Sequence, residues 1–233
     1  MIFAPPFVEW HMRRVLFTVY DELDRHMEMP WSQPYGILKK KQLAAFQAEG
    51  IPEVVLSYGR QINGLRADWQ ARGGVRLEGS INLLPVERIY GPLDPDEFLV
   101  LPEDAPELHD FRPVDMFKPD ACVGLLHDER RSPQLYYYDE SDRDLEPLDL
   151  DLQGYISLLQ FTWGFLNWLL LLLELASPAG QARPFRLQPD SLASNTIAWK
   201  LPLLAQHIPD WDLDAFVAHY DLVKLSAQPK RAT

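Results

Sequence analysis

Apolar residues along this chain recur at two spacings, one helical and one strand-like. At Phe7, Trp10, Val15, Leu16, Val19 and Leu23 they fit a helix over Phe7–His26, loosely. Arg13, Arg14, Asp21, Glu22 and Asp24 take its wet face. Met29-Pro30 through Pro34-Tyr35-Gly36 reads as a breaker segment. The spacing predicts a second helix over Lys39–Gln47, ended by Gly50. Ile51-Pro52 opens a third, with Pro52 tolerated in its first turn. It runs to about Ile62, where Asn63-Gly64 stops it, and Leu43, Phe46, Val54, Leu56 and Tyr58 are the predicted core contributors.

The pattern then changes. Leu65–Trp69, Val75–Leu77 and Ser80–Leu84 are short apolar runs separated by Gly73-Gly74 and Gly79, the punctuation of a meander. Pro85–Tyr90 reads as a short turn of helix. Phe117–Leu126 and Gln134–Tyr138 read as two further strands around a polar turn at Asp128–Ser132, and Glu146-Pro147 breaks the chain before Leu148. A long helix is expected from Leu152 to about Leu175, with Asp149 and Asp151 at its positive end. Beyond Pro178 and Gly180 come a loop, helices near Ala198–His207 and Leu213–Leu225, and a basic tail from Ser226 to Thr233 that reads as disordered.

Tyr136–Leu175 organises the rest: an aromatic triplet, a dense acidic link, then the longest apolar run. Tyr155–Ala176 is long enough to raise the question of a membrane span. Ser157, Gln160, Thr162, Asn167 and Glu174 interrupt it, its flanks are acidic, and only Leu169–Leu173 is unbroken. A buried central helix is the expectation, and no membrane partner.

Charge narrows the function classes. Net charge is −12 and the sequence pI is about 4.9. A general nucleic-acid binder needs a basic face to displace counterions, so nucleic acid is not an expected partner. An acidic surface favours basic proteins. The single cysteine, Cys122, excludes an internal disulfide framework and reads as a small buried apolar residue. The N-terminus, with aromatics and two prolines, lacks the layout of a signal peptide, so a cytoplasmic location is expected.

Catalytic chemistry is not visible. Gly73-Gly74 lacks the Lys-Ser/Thr that completes a phosphate loop. His109-Asp110 and His127-Asp128-Glu129 read as solvated loop residues rather than metal ligands. A Cys122/His127 nucleophile pair is disfavoured, because strand residues five apart point to opposite faces. No one pair of carboxylates is singled out for hydrolytic work. What stands out is Asp139, Glu140, Asp142, Asp144, Glu146, Asp149 and Asp151, seven acids with only Arg143 among them. A second acidic run, Asp94–Asp110, includes Asp94, Asp96 and Glu97 and contains no lysine or arginine. Each reads as a solvated loop or as a docking surface for a cationic protein.

Two segments together resemble a known family. Ile51-Pro52 opens a helix that closes on Gln61-Ile62-Asn63-Gly64-Leu65, with strands following through Ile81-Asn82-Leu83-Leu84-Pro85. Later, Leu148-Asp149-Leu150-Asp151-Leu152-Gln153-Gly154-Tyr155-Ile156 and Phe165-Leu166-Asn167-Trp168 are similar to the acidic lead-in and aromatic pair of its closing helix. The family is the SUKH superfamily, which includes fungal cell-wall regulators of the Smi/Knr type and many bacterial immunity proteins. The resemblance covers about Lys39–Leu175.

The resemblance implies an α+β fold, a mixed or antiparallel sheet packed by helices. Residues 39–176 would form that core, residues 1–38 an N-terminal helix and connector, and residues 177–233 a C-terminal helical extension with its tail. It implies an immunity protein that binds and neutralises a cognate toxin or effector with a basic surface, by occlusion. It brings no catalytic residue, metal ligand or cofactor. Asp139, Glu140, Asp142, Asp144 and Glu146, with Asp94, Asp96 and Glu97, are the candidate partner-binding residues. The alternatives are a regulatory scaffold of the same fold and a carboxylate-based hydrolase.

Overall fold

Among the described residues, seven strands in sequence order form one antiparallel sheet, each beside its chain neighbour, and helices pack against it. The structure is a computed structural model and describes residues 11–92, 108–127, 134–141, 144–182 and 185–225. The α+β class with an antiparallel sheet and a helical C-terminal part is the one expected. Asp94, Asp96, Glu97, Asp142 and the 226–233 tail lie outside the described residues.

The first helix, α1 (His11–His26), buries Met12, Val15, Leu16, Val19 and Leu23. The breaker segment is instead a strand, β1 (Met27–Pro34), paired with β2 (Leu65–Ala71). Its prolines are tolerated because β1 is an edge strand whose register slips between Glu28 and Trp31. Helix α2 (Lys40–Ala48) ends before Gly50, which sits at φ 78°. Helix α3 (Glu53–Gln61) starts one residue after Pro52, which stands just outside the helix rather than in its first turn.

Strand β2 alternates buried and partly exposed residues, as does β3 (Glu78–Leu83). Val75–Leu77 is not a strand. Gly73 and Gly74, at φ 78° and 74°, turn the chain tightly there, and Leu77 is swallowed by the core. Helix α4 (Val86–Ile89) stands where a turn of helix was expected. A strand that the pattern did not mark, β4 (Phe111–Asp115), follows. Phe117–Leu126 therefore narrows to β5 (Ala121–Leu126), with a β4–β5 turn before it. Strand β6 (Leu135–Asp139) and the short β7 (Leu145–Pro147) close the sheet, so Glu146-Pro147 ends an edge strand rather than breaking the chain.

The expected long helix is two: α5 (Leu152–Thr162) and α6 (Leu169–Ala176). Between them Trp163, Gly164 and Asn167 all have positive φ, at 49°, 67° and 75°. The kink answers a gap in the sheet. Strands β3 and β4 share a single register pair, Leu83 with Asp115. The rest of the β3 edge is covered by the kink: Ser80 N–H donates to Gly164 O at 3.0 Å, and Leu166 N–H to Glu78 O at 2.9 Å. Trp69 Nε1 donates to Trp163 O at 2.7 Å. A backbone polar group left bare inside the core is costly, so exchanging helical bonds for these is favourable.

Helices α7 (Leu192–Ile197), α8 (Leu201–His207) and α9 (Leu213–Val223) follow. The pattern missed α7. Lys200, largely buried, donates to Leu166 O at 2.8 Å and so ties this part to the kink; its burial lowers the ammonium pKa. One apolar core runs from Met12 to Tyr220 on the helix side of the sheet. Leu108, Phe111, Cys122 and Tyr138 form a second, smaller cluster. Among the described residues no helix is long and apolar enough to cross a membrane.

Candidate functional site

The β6–β7 hairpin carries most of the described candidate acids, and their roles separate. Asp139 accepts from Ser141 N–H at 2.9 Å, Ser141 Oγ at 2.6 Å and Tyr137 OH at 3.0 Å. Partial burial pushes its carboxyl up, but these donors, with Lys118 nearby, outweigh that and hold it below its ordinary range. Asp139 is therefore the clamp of the turn. Glu140 is pinned through its backbone, whose N–H donates to Asp120 O at 3.0 Å, and its side chain is half-buried. Asp144 and Glu146 are exposed. Among the described residues Glu140, Asp144 and Glu146 have no ion pair.

The last two acids of the run do local work. Asp149 adopts φ 53°, its carbonyl accepts from Leu225 N–H at 2.7 Å, and partial burial raises its carboxyl pKa, with Lys224 opposing. Asp151 caps α5, accepting from Gly154 N–H at 2.7 Å. The run thus divides into structural acids (Asp139, Asp149, Asp151) and presented ones (Glu140, Asp144, Glu146).

The Asp120–Glu140 tie sets the hairpin beside the β4–β5 turn. Lys118, Pro119 and Asp120 of that turn line an open cleft of about 480 Å³ with Asp68, Glu78 and Ser80. Asp68 is engaged there by Ser80 Oγ at 2.6 Å and by Arg66 at 3.3 Å. Asp68, Glu78 and Asp120 thus share this cleft with Lys118.

Geometry also bears on the candidate chemistry. Cys122 is buried, and burial, with Asp115 and Glu140 adding, pushes its thiol far above the range of a nucleophile. His127 lies past the end of β5, edge-on to Tyr90 at 5.3 Å. His109 Nδ1 lies 3.2 Å from Asp110 and its carbonyl accepts from Arg112 at 3.1 Å, and among the described residues no three ligand-type side chains converge on a metal position.

Two constellations escaped the sequence. Ser157 on α5 meets His219 on α9 at 2.9 Å, in a cleft of about 270 Å³. The Ser157 hydroxyl already donates to Gly154 O at 2.7 Å. While that proton is on Gly154 O the hydroxyl can only accept from the imidazole, the reverse of an activated nucleophile. The other is Asp115, fully buried at the β3–β4 seam, where it accepts from Asn82 N–H at 2.8 Å and Tyr155 OH at 2.7 Å. Burial pushes its carboxyl up to about 6 against those donors. Pairings between distant elements have no local signature, which is why neither was visible.

Comparison with known proteins returns no match: no family model, no curated protein and no solved structure is similar to this chain.

Proposed function

We propose that this chain is a non-enzymatic immunity protein that neutralises a basic toxin by occluding it, as its resemblance to the SUKH superfamily implies. The observation that carries the reading is the β6–β7 hairpin. Glu140, Asp144 and Glu146 stand there without ion pairs among the described residues, on a chain of net charge −12. Like charges held together are repelled in the free state, and a cationic partner relieves that repulsion and is steered towards it. Exposed acids on a hairpin suit blocking a surface.

The test is co-expression with the protein encoded beside it, scored by growth and by affinity. Wild type restores growth. Asp144→Lys with Glu146→Lys loses affinity by roughly tenfold or more. A wild type that neither binds nor rescues sinks the reading. Unchanged affinity in the reversed variant moves the docking face elsewhere.

A further inference from the structure

On the helical side, away from the hairpin, α1, α5 and the turn before α9 enclose an open cleft of about 370 Å³. Its lining includes Glu22, Gln160, Phe161, Trp163, Asp210 and Trp211, and among the described residues no lysine or arginine lines it, although Arg25 pairs with Glu22. The half-buried rings of Phe161 and Trp211, with the nearly buried Trp163 beside them, share this cleft with the carboxylates of Glu22 and Asp210. An aromatic face is electronegative and attracts a cation, and the carboxylates supply the countercharge.

The rings are fixed before anything arrives. Trp163 is set by the kink, in a left-handed conformation at φ 49°, with its carbonyl held by Trp69. Trp211 packs edge-on to Phe165 at 6.0 Å and against Phe216 at 6.3 Å, and Phe161 meets the same Phe216 at 6.3 Å. Rings locked this way cost little entropy to present. Glu22 is steadied on its own helix by Arg25 and by His26 at 3.2 Å. Asp210, exposed at φ 57°, has no ion pair among the described residues.

We propose that this cleft receives an arginine side chain of the basic partner. A guanidinium is planar and weakly hydrated, stacks on tryptophan and forks onto carboxylates, whereas a lysine ammonium does only the last of these as a point charge. That the arginine belongs to a partner protein rests on the function proposed above; the preference of the cleft for a cation does not.

The experiment separates the two. The full chain, ¹⁵N-labelled, is titrated with Nα-acetyl-arginine amide, and in parallel with the lysine and glutamine analogues. The arginine compound moves the Trp163 and Trp211 indole signals and the Gln160 and Asp210 amides, the lysine compound moves them less, and the glutamine compound leaves them still. Glu22→Gln with Asp210→Asn weakens the titration roughly tenfold. Asparagine tolerates the left-handed conformation, so that variant keeps the turn. Asp144→Asn with Glu146→Gln, on the hairpin, leaves it unchanged. Indole signals that stay put, an equal response to glutamine, or a titration undiminished in the Glu22/Asp210 variant overturns the proposal. If arginine titrates the cleft while the toxin fails to bind, the cleft stands and the toxin reading falls.

Discussion

Asp115 is a buried carboxylate with two donors and, among the described residues, no ion pair. Its folded pKa of about 6 lies above its value in the unfolded chain, near 3.9. The stability it contributes is therefore complete below about pH 4 and is lost as pH rises through about 6. Two pH units at roughly 1.4 kcal/mol each set a ceiling of about 3 kcal/mol. Asp115→Asn removes this slope: its oxygen still accepts from Asn82 N–H, and its amide donates to the Tyr155 oxygen. Urea unfolding across pH 4 to 8 should show the variant gaining on wild type as pH rises; a constant difference would mean that Asp115 does not titrate in this window. Tyr155→Phe takes away one donor and should cost about 1–3 kcal/mol at neutral pH, read from the same unfolding curves. In the sequence Asp115 is one acid among several from Asp110 to Asp120. Its partner Tyr155 lies 40 residues on, a separation that no local pattern reports.

At the scale of elements, the kink and the sheet edges carry the testable consequences. A Cβ on Gly164 would meet Ile81 Cγ1 at 2.6 Å and Ser80 O at 2.8 Å, and its φ of 67° already disfavours any side chain. Gly164→Ala should lower stability by about 1–3 kcal/mol in thermal unfolding. An unchanged midpoint would mean that the kink is not seated on β3. Both edges of the sheet carry prolines. Tyr35 N–H donates to Gly64 O at 3.0 Å, so the Pro34 nitrogen, one residue earlier, faces away from β2 and offers no donor to another chain. Pro147 lies in the opposite edge strand, β7. Pro34→Thr with Pro147→Thr should give dimers or larger species on size exclusion, where wild type gives fewer. These edges mark where sequence reading stops. Prolines that break a pattern are also prolines that guard an edge, so β1 and β7 read as breaks. Strands β2 and β3 were legible because burial on one face imposed alternation, and β5 and β6 because each is a short apolar or aromatic run. The long helix misread because Leu152–Leu175 is apolar enough to be buried either as one rod or as two. What decides is the bare β3 edge, a tertiary demand.

Across the whole molecule, the two proposed contacts should separate kinetically. The hairpin acids are exposed, so their influence on a cationic partner is long-range and screened by salt. The aromatic cleft acts only on contact, where a stacked guanidinium has lost its water. Raising salt from 0.05 to 0.5 M cuts the screening length to about a third, and association should slow by roughly tenfold while dissociation changes little. Asp144→Lys with Glu146→Lys should reproduce that loss at low salt and flatten the salt dependence. Glu22→Gln with Asp210→Asn should instead speed dissociation and leave the salt slope of association nearly intact. Surface plasmon resonance on one immobilised toxin, with both variants at several salt concentrations, measures all four rates. If both variants act through association alone, the cleft is no anchor and the carboxylates merely add to a diffuse acidic field. If association is indifferent to salt, the net charge of −12 does not steer the encounter, and occlusion must rest on shape and apolar contact instead.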